Sequence, residues 1–240
     1  MPKEKATRMS NEKRNRNSMI APAVIAVAGL GYFLAARPWH LRWGTTDEEL
    51  GASLPSDEIS AEAAGQATHA VTIDAPPKDV WPWILQIGQD RGGFYSYTYL
   101  ENLAGCRMRN VSNIVPEWQN RAAGDTVWFA TPKHFGGRAR MVAAIVEPER
   151  AMVLATPEDW PEIQSGKRGR GPTWAFILKP TYNGGTRLLA RTHGKSQPGL
   201  WSRVANLSFW EPAHFVMERK MLLTIKQMAQ KTSCAKLPPA

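Results

Sequence analysis

The chain has 240 residues, of which 43% are hydrophobic and 21% are charged. Its length suits one large domain with an appendage, and its apolar fraction excludes both wholesale disorder and a protein with many membrane spans. The formal net charge is +9 and the pI is about 9.8. Such values are typical of proteins that bind nucleic acid or an anionic membrane, and the position of the charge along the chain distinguishes the two.

Much of the positive charge lies at the N-terminus. Residues 1–16 contain six Lys and Arg residues but only two Glu residues, and an uncharged run of 18 residues, 19–36, follows. A helix of that length spans roughly 27 Å, enough for a bilayer core. Arg37, Trp39 and Trp43 then form an interfacial collar.

This apolar run has two main interpretations, and a third, a buried helix of a soluble protein, is disfavoured by the basic tail before it and the Trp/Arg collar after it. As a retained signal-anchor, it predicts a basic cytoplasmic tail over residues 1–18 and a transmembrane helix over 19–36, with the domain outside because positive charges stay inside. As a signal peptide, it would be cleaved, and Ala26–Ala28 offers an Ala-x-Ala site. Cleavage there leaves a short apolar core, so we favour the anchor. We therefore expect a single-pass protein of the bacterial inner (cytoplasmic) membrane with an extracytoplasmic domain.

Residues 37–66 are predicted to be a juxtamembrane segment and linker, because the stretch from Gly44 is rich in acidic and small residues. A folded α+β domain is predicted over 67–232, with a C-terminal tail over 233–240. The two distant cysteines, Cys106 and Cys234, favour free thiols over a disulfide.

Inside the domain, a short strand is followed by two short helices, a run of strands and one long helix. Helical spacing predicts a helix with Asp74 as its candidate N-cap, a second at Tyr97–Leu103 and the long one at Pro212–Lys231. The predicted strands are Ala67–Ile73, Asp125–Ala130, Ala139–Val146, Ala151–Thr156, Thr173–Lys179 and Thr186–Thr192. Successive strands without intervening helices favour an antiparallel sheet.

Several segments resemble one bacterial branch of the SRPBCC superfamily, which includes START and polyketide cyclase/dehydrase-like proteins. They are RPWHLRWG at 37–44, IDAPP at 73–77, VWPW at 80–83, RGGFYSY at 91–97, LENL at 100–103, IVPEWQ at 114–119, GD at 124–125, WAF at 174–176 and EPAHFVMERKML at 211–222. The resemblance implies a helix-grip fold, in which a curved antiparallel sheet wraps around the C-terminal helix and a hydrophobic cavity. It implies no reaction, because the superfamily contains binders, carriers and enzymes.

The long helix carries the first group of candidate site residues. Glu211, His214 and Glu218 share one face at spacings of three and seven, and Met217 and Met221 continue that face. Methionine stripes fill cores and also form adaptable ligand walls. Glu-x-x-His is half of a di-iron motif, but only one copy exists here, so we predict no metal.

The other candidates lie in two loops. Tyr95 and Tyr97 would face the same side of an extended segment, where their hydroxyls could orient a ligand or act as general acids. A hydrogen bond to Glu101 or Glu117 is the structural alternative. Glu117 and Trp118 are further candidates for a cavity wall, with a loop salt bridge as the alternative.

The sequence lacks the motifs of several functional classes. No P-loop, dinucleotide fingerprint, serine elbow, His-Glu-x-x-His, helix-turn-helix or zinc finger occurs, so we expect no cofactor and no nucleic acid. The Arg/Gly run at 167–171 is typical of a solvated hairpin loop and also of a surface that touches phosphates.

Three hypotheses follow. The leading one is membrane-anchored binding of a hydrophobic small molecule or lipid in the cavity of a helix-grip domain. The alternative is a cyclase/dehydratase-like enzyme that uses Tyr95 or Tyr97 with His214 and Glu211 as acid–base groups. The third is a non-catalytic interaction module that uses the Arg/Gly loop.

Overall fold

The computed structural model describes residues 24, 27, 29–60, 65–194 and 199–235. The chain forms two compact units that divide after Leu41. In the first unit, residues 29–41 are helical and include a π-helical turn, Tyr32–Ala36, and helix α1, Arg37–Leu41.

Among the described residues, no helix is both long and apolar enough to cross a membrane. The predicted transmembrane segment over 19–36 lies partly outside those residues, and the predicted tail over 1–18 lies entirely outside them. Both remain predictions. Most of the short tail over 233–240 also lies outside the described part.

The second unit is built on one antiparallel sheet. In the described part of the chain its strands are β1 (Gln66–Ile73), β2 (Thr126–Trp128), β3 (Arg140–Glu147), β4 (Ala151–Ala155), β5 (Thr173–Pro180) and β6 (Thr186–His193). They lie in the order β1-β6-β5-β4-β3-β2, and every pairing is antiparallel. All six agree with the predicted strands to within about two residues at each end.

Among the described residues of this unit, the helices are α2 (Asp47–Gly51), α3 (Pro55–Ile59), α4 (Pro77–Leu85), α5 (Thr98–Leu103), α6 (Trp160–Gln164), α7 (Leu200–Ala205) and α8 (Glu211–Ala235), with single 3-10 turns at Pro116–Trp118 and His134–Gly137. Three of them, α4, α5 and α8, fall where the hydrophobic spacing predicts them, whereas the other four, α2, α3, α6 and α7, are not predicted from the sequence. A π-helical turn, Asn206–Trp210, joins α7 to α8. The α+β class with a long terminal helix is thus confirmed, and it fits the helix-grip arrangement.

The predicted helix cap at Asp74 is corrected. Helix α4 has Pro76 at its N-cap and Pro77 at its first position, where the fixed φ of proline already suits a helix. The Asp74 carboxylate instead accepts a hydrogen bond of 3.3 Å from Nε2 of Gln230, near the end of α8.

The sheet has two differently covered faces, because side chains alternate along each strand. The inner face packs against α8 and α4, and its core includes Ile73, Trp83, Phe176 and Leu222. The outer face has a smaller core that includes Leu54, Ala70, Ala175 and Leu189.

The outer face is covered by residues that the sequence suggests are a linker. Helix α3 packs on β4 and β5, and two arginines of β6 bind α2 and α3. Arg187 forms a bidentate pair with the Glu49 carboxylate at 2.7 Å, and Arg191 bonds the Asp57 carboxylate at 2.7 Å. Acidic residues that a linker would expose to water therefore bind cations of the sheet, which the local composition does not reveal.

Candidate functional site

The inner face contains a buried polar cluster between β1, β5 and α8. His69 of β1 and Trp174 of β5 point inward because they alternate with outward-facing neighbours. Glu218 lies on the face of α8 that also buries Met221, Leu222 and Ile225. Three elements that are distant in sequence thus place polar groups at one point.

Glu218 is the centre of this cluster and is only 3% exposed. Its Oε2 accepts a hydrogen bond from Nδ1 of His69, and its Oε1 accepts one of 2.5 Å from Nε1 of Trp174. Both carboxylate oxygens therefore have a ring N–H donor. A buried carboxylate needs such donors because it has lost its water.

The charge state of Glu218 follows from two opposed effects. Burial by itself raises the pKa of this carboxyl, but the nearby charge of His214 and the charge and hydrogen bond of His69 outweigh burial, with a further contribution from Trp174. The pKa is held below its usual value, so the carboxyl is ionised at neutral pH. The cluster is an anion enclosed by imidazoles and an indole.

Aromatic side chains extend from this anion toward solvent. The ring of Trp174 is stacked on Phe94 at 5.8 Å and lies edge-on to both Phe129 at 6.0 Å and His214 at 5.8 Å. Trp174, Phe129 and His214 are only half-buried, whereas Phe176 on the same face is fully buried. The polar cluster therefore adjoins a group of aromatic rings that the protein leaves partly uncovered.

The two candidate tyrosines do not share a side as the extended segment would require. Tyr95 has a φ of +58°, which turns the chain, and its buried ring lies edge-on to Trp83 at 6.0 Å. Tyr97 is half-buried, with its ring 5.8 Å from that of Tyr99. Asn110 stabilises the turn, accepting from the Tyr95 N–H and donating to the Ser96 carbonyl, both at 2.9 Å.

Burial also changes the chemistry of Tyr95. It raises the pKa of the phenol well above its ordinary value, and the Gln86 side chain opposes this only in part. The loop that carries both tyrosines contacts α8, since Oγ of Ser96 donates to the Met217 carbonyl at 3.0 Å.

The remaining candidates occupy varied environments. On α8, Met221 is buried, Met217 and Glu211 are half-buried, and His214 touches Trp174. In the other loop, Glu117 is exposed and Trp118 is half-buried. The Trp118 carbonyl accepts a 2.8 Å bond from Arg91, which ties this loop to the start of the RGGFYSY segment.

The Arg/Gly loop is partly held by backbone contacts. The Gly169 N–H donates to the Ile59 carbonyl at 2.8 Å, and the Asp159 carboxylate accepts from the N–H groups of Arg170 and Gly171. Lys167 pairs with Glu162 at 3.2 Å in an exposed position. The glycines thus serve local packing of the chain.

Metal binding has no candidate centre in the described part of the chain, where no group of three or more His, Cys, Asp or Glu side chains is arranged to hold an ion. Both cysteines, Cys106 and Cys234, are free thiols, as the sequence favours.

Sequence reasoning identified Glu218 and His214 but missed His69 as a partner of Glu218. The available signal was its place in a strand, where it shares the inward face with Val71 and Ile73. The roles of Phe94 and Phe129 were also missed, because their loops and short strand have no clear period.

Comparisons with known proteins give neither a family nor a function for this chain. No protein-family model matches the sequence, and no curated protein matches it significantly. A protein of Mesorhizobium loti aligns over 70% of this chain and 98% of its own, at 16% identity and a TM-score of 0.35. The Aha1 dimer of Colwellia psychrerythraea aligns over 68% of this chain and 98% of its own, at 16% identity and a TM-score of 0.35.

A Polyketide_cyc-like protein of Corynebacterium glutamicum aligns over 71% of this chain and 87% of its own, at 16% identity and a TM-score of 0.30. At these values the fold assignment depends on the strand order and the terminal helix described above.

Proposed function

We propose that the second unit binds a hydrophobic small molecule or lipid against the half-buried rings of Phe129, Trp174 and His214. The supporting observation is that these rings stay partly uncovered beside the inner face, whereas Phe176 on the same face is fully buried. Covering aromatic surface is favourable at roughly 25 cal/mol per Å². A ligand that fills this place gains that free energy.

The polar cluster gives the site a polar end. His214 lies against Trp174 and interacts electrostatically with the ionised Glu218. Its imidazole can therefore donate a hydrogen bond at the edge of the aromatic group. An amphipathic ligand would place its apolar body on Phe129 and Trp174 and a hydrogen-bonding group near His214. Few polar groups within an apolar surround are typical of small-molecule sites.

Membrane anchoring through residues 19–36 is the second part of the proposal. It is supported by the basic tail and the uncharged run that follows it. Alkaline extraction of membranes from cells that express the full chain tests it. An anchored chain stays in the membrane pellet, whereas release into the supernatant contradicts anchoring without affecting the ligand proposal.

Native mass spectrometry of the full chain in a mild detergent tests ligand binding. We expect a co-purified adduct or, for an empty protein, saturable binding of oleic acid or of the fluorophore anilinonaphthalene sulfonate. Phe129→Ala should weaken fluorophore binding about 3- to 10-fold, because one aromatic contact is lost. Tyr182→Ala, in the exposed β5–β6 turn, is the control and should leave binding unchanged. Equal affinities in both variants would refute the site.

Acid–base catalysis is the second candidate function, favoured by the position of His214 beside an anion that can stabilise an imidazolium. Glu211 and Tyr97 remain candidates for further groups, whereas the raised pKa of Tyr95 makes it a poor general base. The masses and chromatographic retention times of ligands co-purified with wild-type and His214→Gln protein separate the two functions. A binding protein yields the same compound from both. An enzyme yields product from the wild type and substrate from the variant, which differ in mass after a dehydration and in retention time alone after a cyclisation that loses no atoms.

A further inference from the structure

The helical segment before α8 exposes an unusual amount of apolar surface. It comprises α7 and the π-helical turn, residues 200–210, and is called the aromatic helix below. Its most exposed large side chains are Trp201 (83%), Leu200 (72%), Trp210 (64%), Phe209 (61%) and Val204 (45%). A run of exposed residues of this kind marks an interaction surface.

The π-helical turn explains why these side chains do not continue the buried stripe of α8. A π-helical turn contains an extra residue relative to an α-helical one, so side chains before it are rotated away from the face that follows. The stripe of α8 that begins at Phe215 and Glu218 packs on the sheet, whereas Trp210, Phe209 and Val204 face solvent.

The composition of the aromatic helix fits a lipid surface. Trp and Phe side chains prefer the boundary between headgroups and acyl chains. Residues 199–210 contain the cation Arg203 and no Asp or Glu, in a chain of net charge +9. No carboxylate within this stretch therefore repels an anionic headgroup, and the cation favours one.

The length of the aromatic helix defines how it would meet the bilayer. Eleven residues extend about 16 Å, roughly half the thickness of the hydrocarbon core, so the helix cannot span it. A short helix with an apolar aromatic surface instead lies in the plane of the interface and buries its side chains by about 5–10 Å.

We propose that the aromatic helix is an interfacial membrane-binding element that inserts Trp201, Phe209 and Trp210 into the surface of an anionic bilayer. This contact is separate from the predicted anchor at 19–36 and does not depend on the proposed ligand site. It would place the start of α8, including His214, next to the lipid surface, because α8 continues directly from Trp210.

Site-specific fluorescence of the full chain tests the proposal. Cys106 and Cys234 are replaced by Ser, and Ala205→Cys, which retains every aromatic side chain, carries an environment-sensitive nitrobenzoxadiazole label. The matched control is Tyr182→Cys in the exposed β5–β6 turn. With vesicles of phosphatidylcholine and about 30 mol% phosphatidylglycerol, the label at 205 should shift to the blue and be quenched by spin-labelled lipids at a depth of about 5–10 Å. The label at 182 should stay accessible to iodide.

A second variant separates the aromatic helix from the predicted anchor. Trp201→Ser with Trp210→Ser should reduce lipid quenching of the label at 205 by at least about 10-fold, since two interfacial anchors are lost. The chain would still reach the vesicle through residues 19–36. Quenching that survives this double substitution, or a label at 205 that iodide still quenches with vesicles present, overturns the proposal. A blue shift at 205 without lipid also overturns it, because protein then covers the surface.

Discussion

The two faces of the sheet each bury ionised groups, but they do so in different ways. On the outer face, Arg191 bonds the Asp57 carboxylate, the Thr68 hydroxyl and the carbonyls of Glu49, Leu50 and Ala52 at 2.7–3.2 Å. On the inner face, Glu218 is satisfied by two ring donors and lies beside half-buried aromatics. The outer charges hold α2 and α3 on the sheet, and the inner charge lies beside partly exposed aromatic rings.

This difference separates structural from functional use of a buried charge. Apart from its bond to Thr68 of β1, the bonds of Arg191 join the sheet to α2, α3 or the loop between them, so its role is to hold that cover in place. The bonds of Glu218 orient His69 and Trp174, and Trp174 in turn contacts the uncovered rings. Substitutions on the outer face should therefore change stability alone, and those on the inner face should change stability and ligand binding together.

The largest effect is expected for Arg191→Met. The substitution removes the guanidinium partner of Asp57 and the donor to the carbonyls of Glu49, Leu50 and Ala52, which should lower the free energy of unfolding by about 3–5 kcal/mol. Urea denaturation measures this change. Arg150→Met is the control, because Arg150 is exposed and, among the described residues, pairs with Glu147 alone, and its effect should stay below about 1 kcal/mol. Similar values for the two variants would contradict the outer-face clamp.

A smaller loss is expected for Glu218→Gln, which keeps the shape of the side chain but removes its charge. Hydrogen bonds to charged groups contribute about 1.5–3 kcal/mol, so unfolding should become easier by roughly that amount. Anilinonaphthalene sulfonate binding should weaken as well. Arg191→Met should leave the binding of the folded fraction unchanged, and Glu117→Gln, at an exposed position, should change neither quantity. If Glu218→Gln binds anilinonaphthalene sulfonate as the wild type does, the inner face does not combine stability with ligand binding, and the proposed difference between the faces is wrong.

The pH dependence of stability should give the smallest effect. It should distinguish the two faces of the sheet, because their titrating groups lose stability in different pH ranges. Burial lowers the pKa of His193 on the outer face below 6.5, an effect that Asp57 opposes. The pKa of Glu218 lies below 4.5. In both cases the unfolded state binds more protons, so stability is lost as pH falls, from about 6.5 for His193 and from about 4.5 for Glu218.

Glu101 must be removed from this measurement because it acts in the opposite sense. Burial raises its pKa to about 7, so its folded form keeps a proton that the unfolded form loses above 4.5, and stability falls as pH rises through that range. In a Glu101→Gln background, urea denaturation between about pH 8 and about pH 3 should show that His193→Gln flattens only the upper window and Glu218→Gln only the lower one. A variant that flattens the opposite window would refute this assignment.

Some site residues were accessible to sequence reasoning and others were not, for a physical reason. Glu218, His214 and Met221 belong to one helix, so the 3.6-residue period alone is enough to place them on one face. Tyr95 and Tyr97 lie in a loop whose direction depends on one positive φ and on Asn110, 15 residues away. No local pattern predicts such a turn at a tyrosine.

The sequence by itself determined the class of this protein and most of its elements. Runs of strand-forming residues between turn signals indicated the strands, and helical spacing indicated α8. The lack of a predicted helix between the later strands favoured an antiparallel sheet, which the structure has although the short α6 lies between β4 and β5. These features depend on near neighbours in the chain, and a single sequence carries that information directly.

Only the tertiary structure decided which charges meet. The approach of His69 to Glu218 joins residues 149 positions apart, and that of Asp57 to Arg191 joins residues 134 apart. Such pairs form because strand register and helix packing bring distant segments together, and burial then demands that every charge find a partner. The same packing turned an apparent acidic linker into the cover of the outer face.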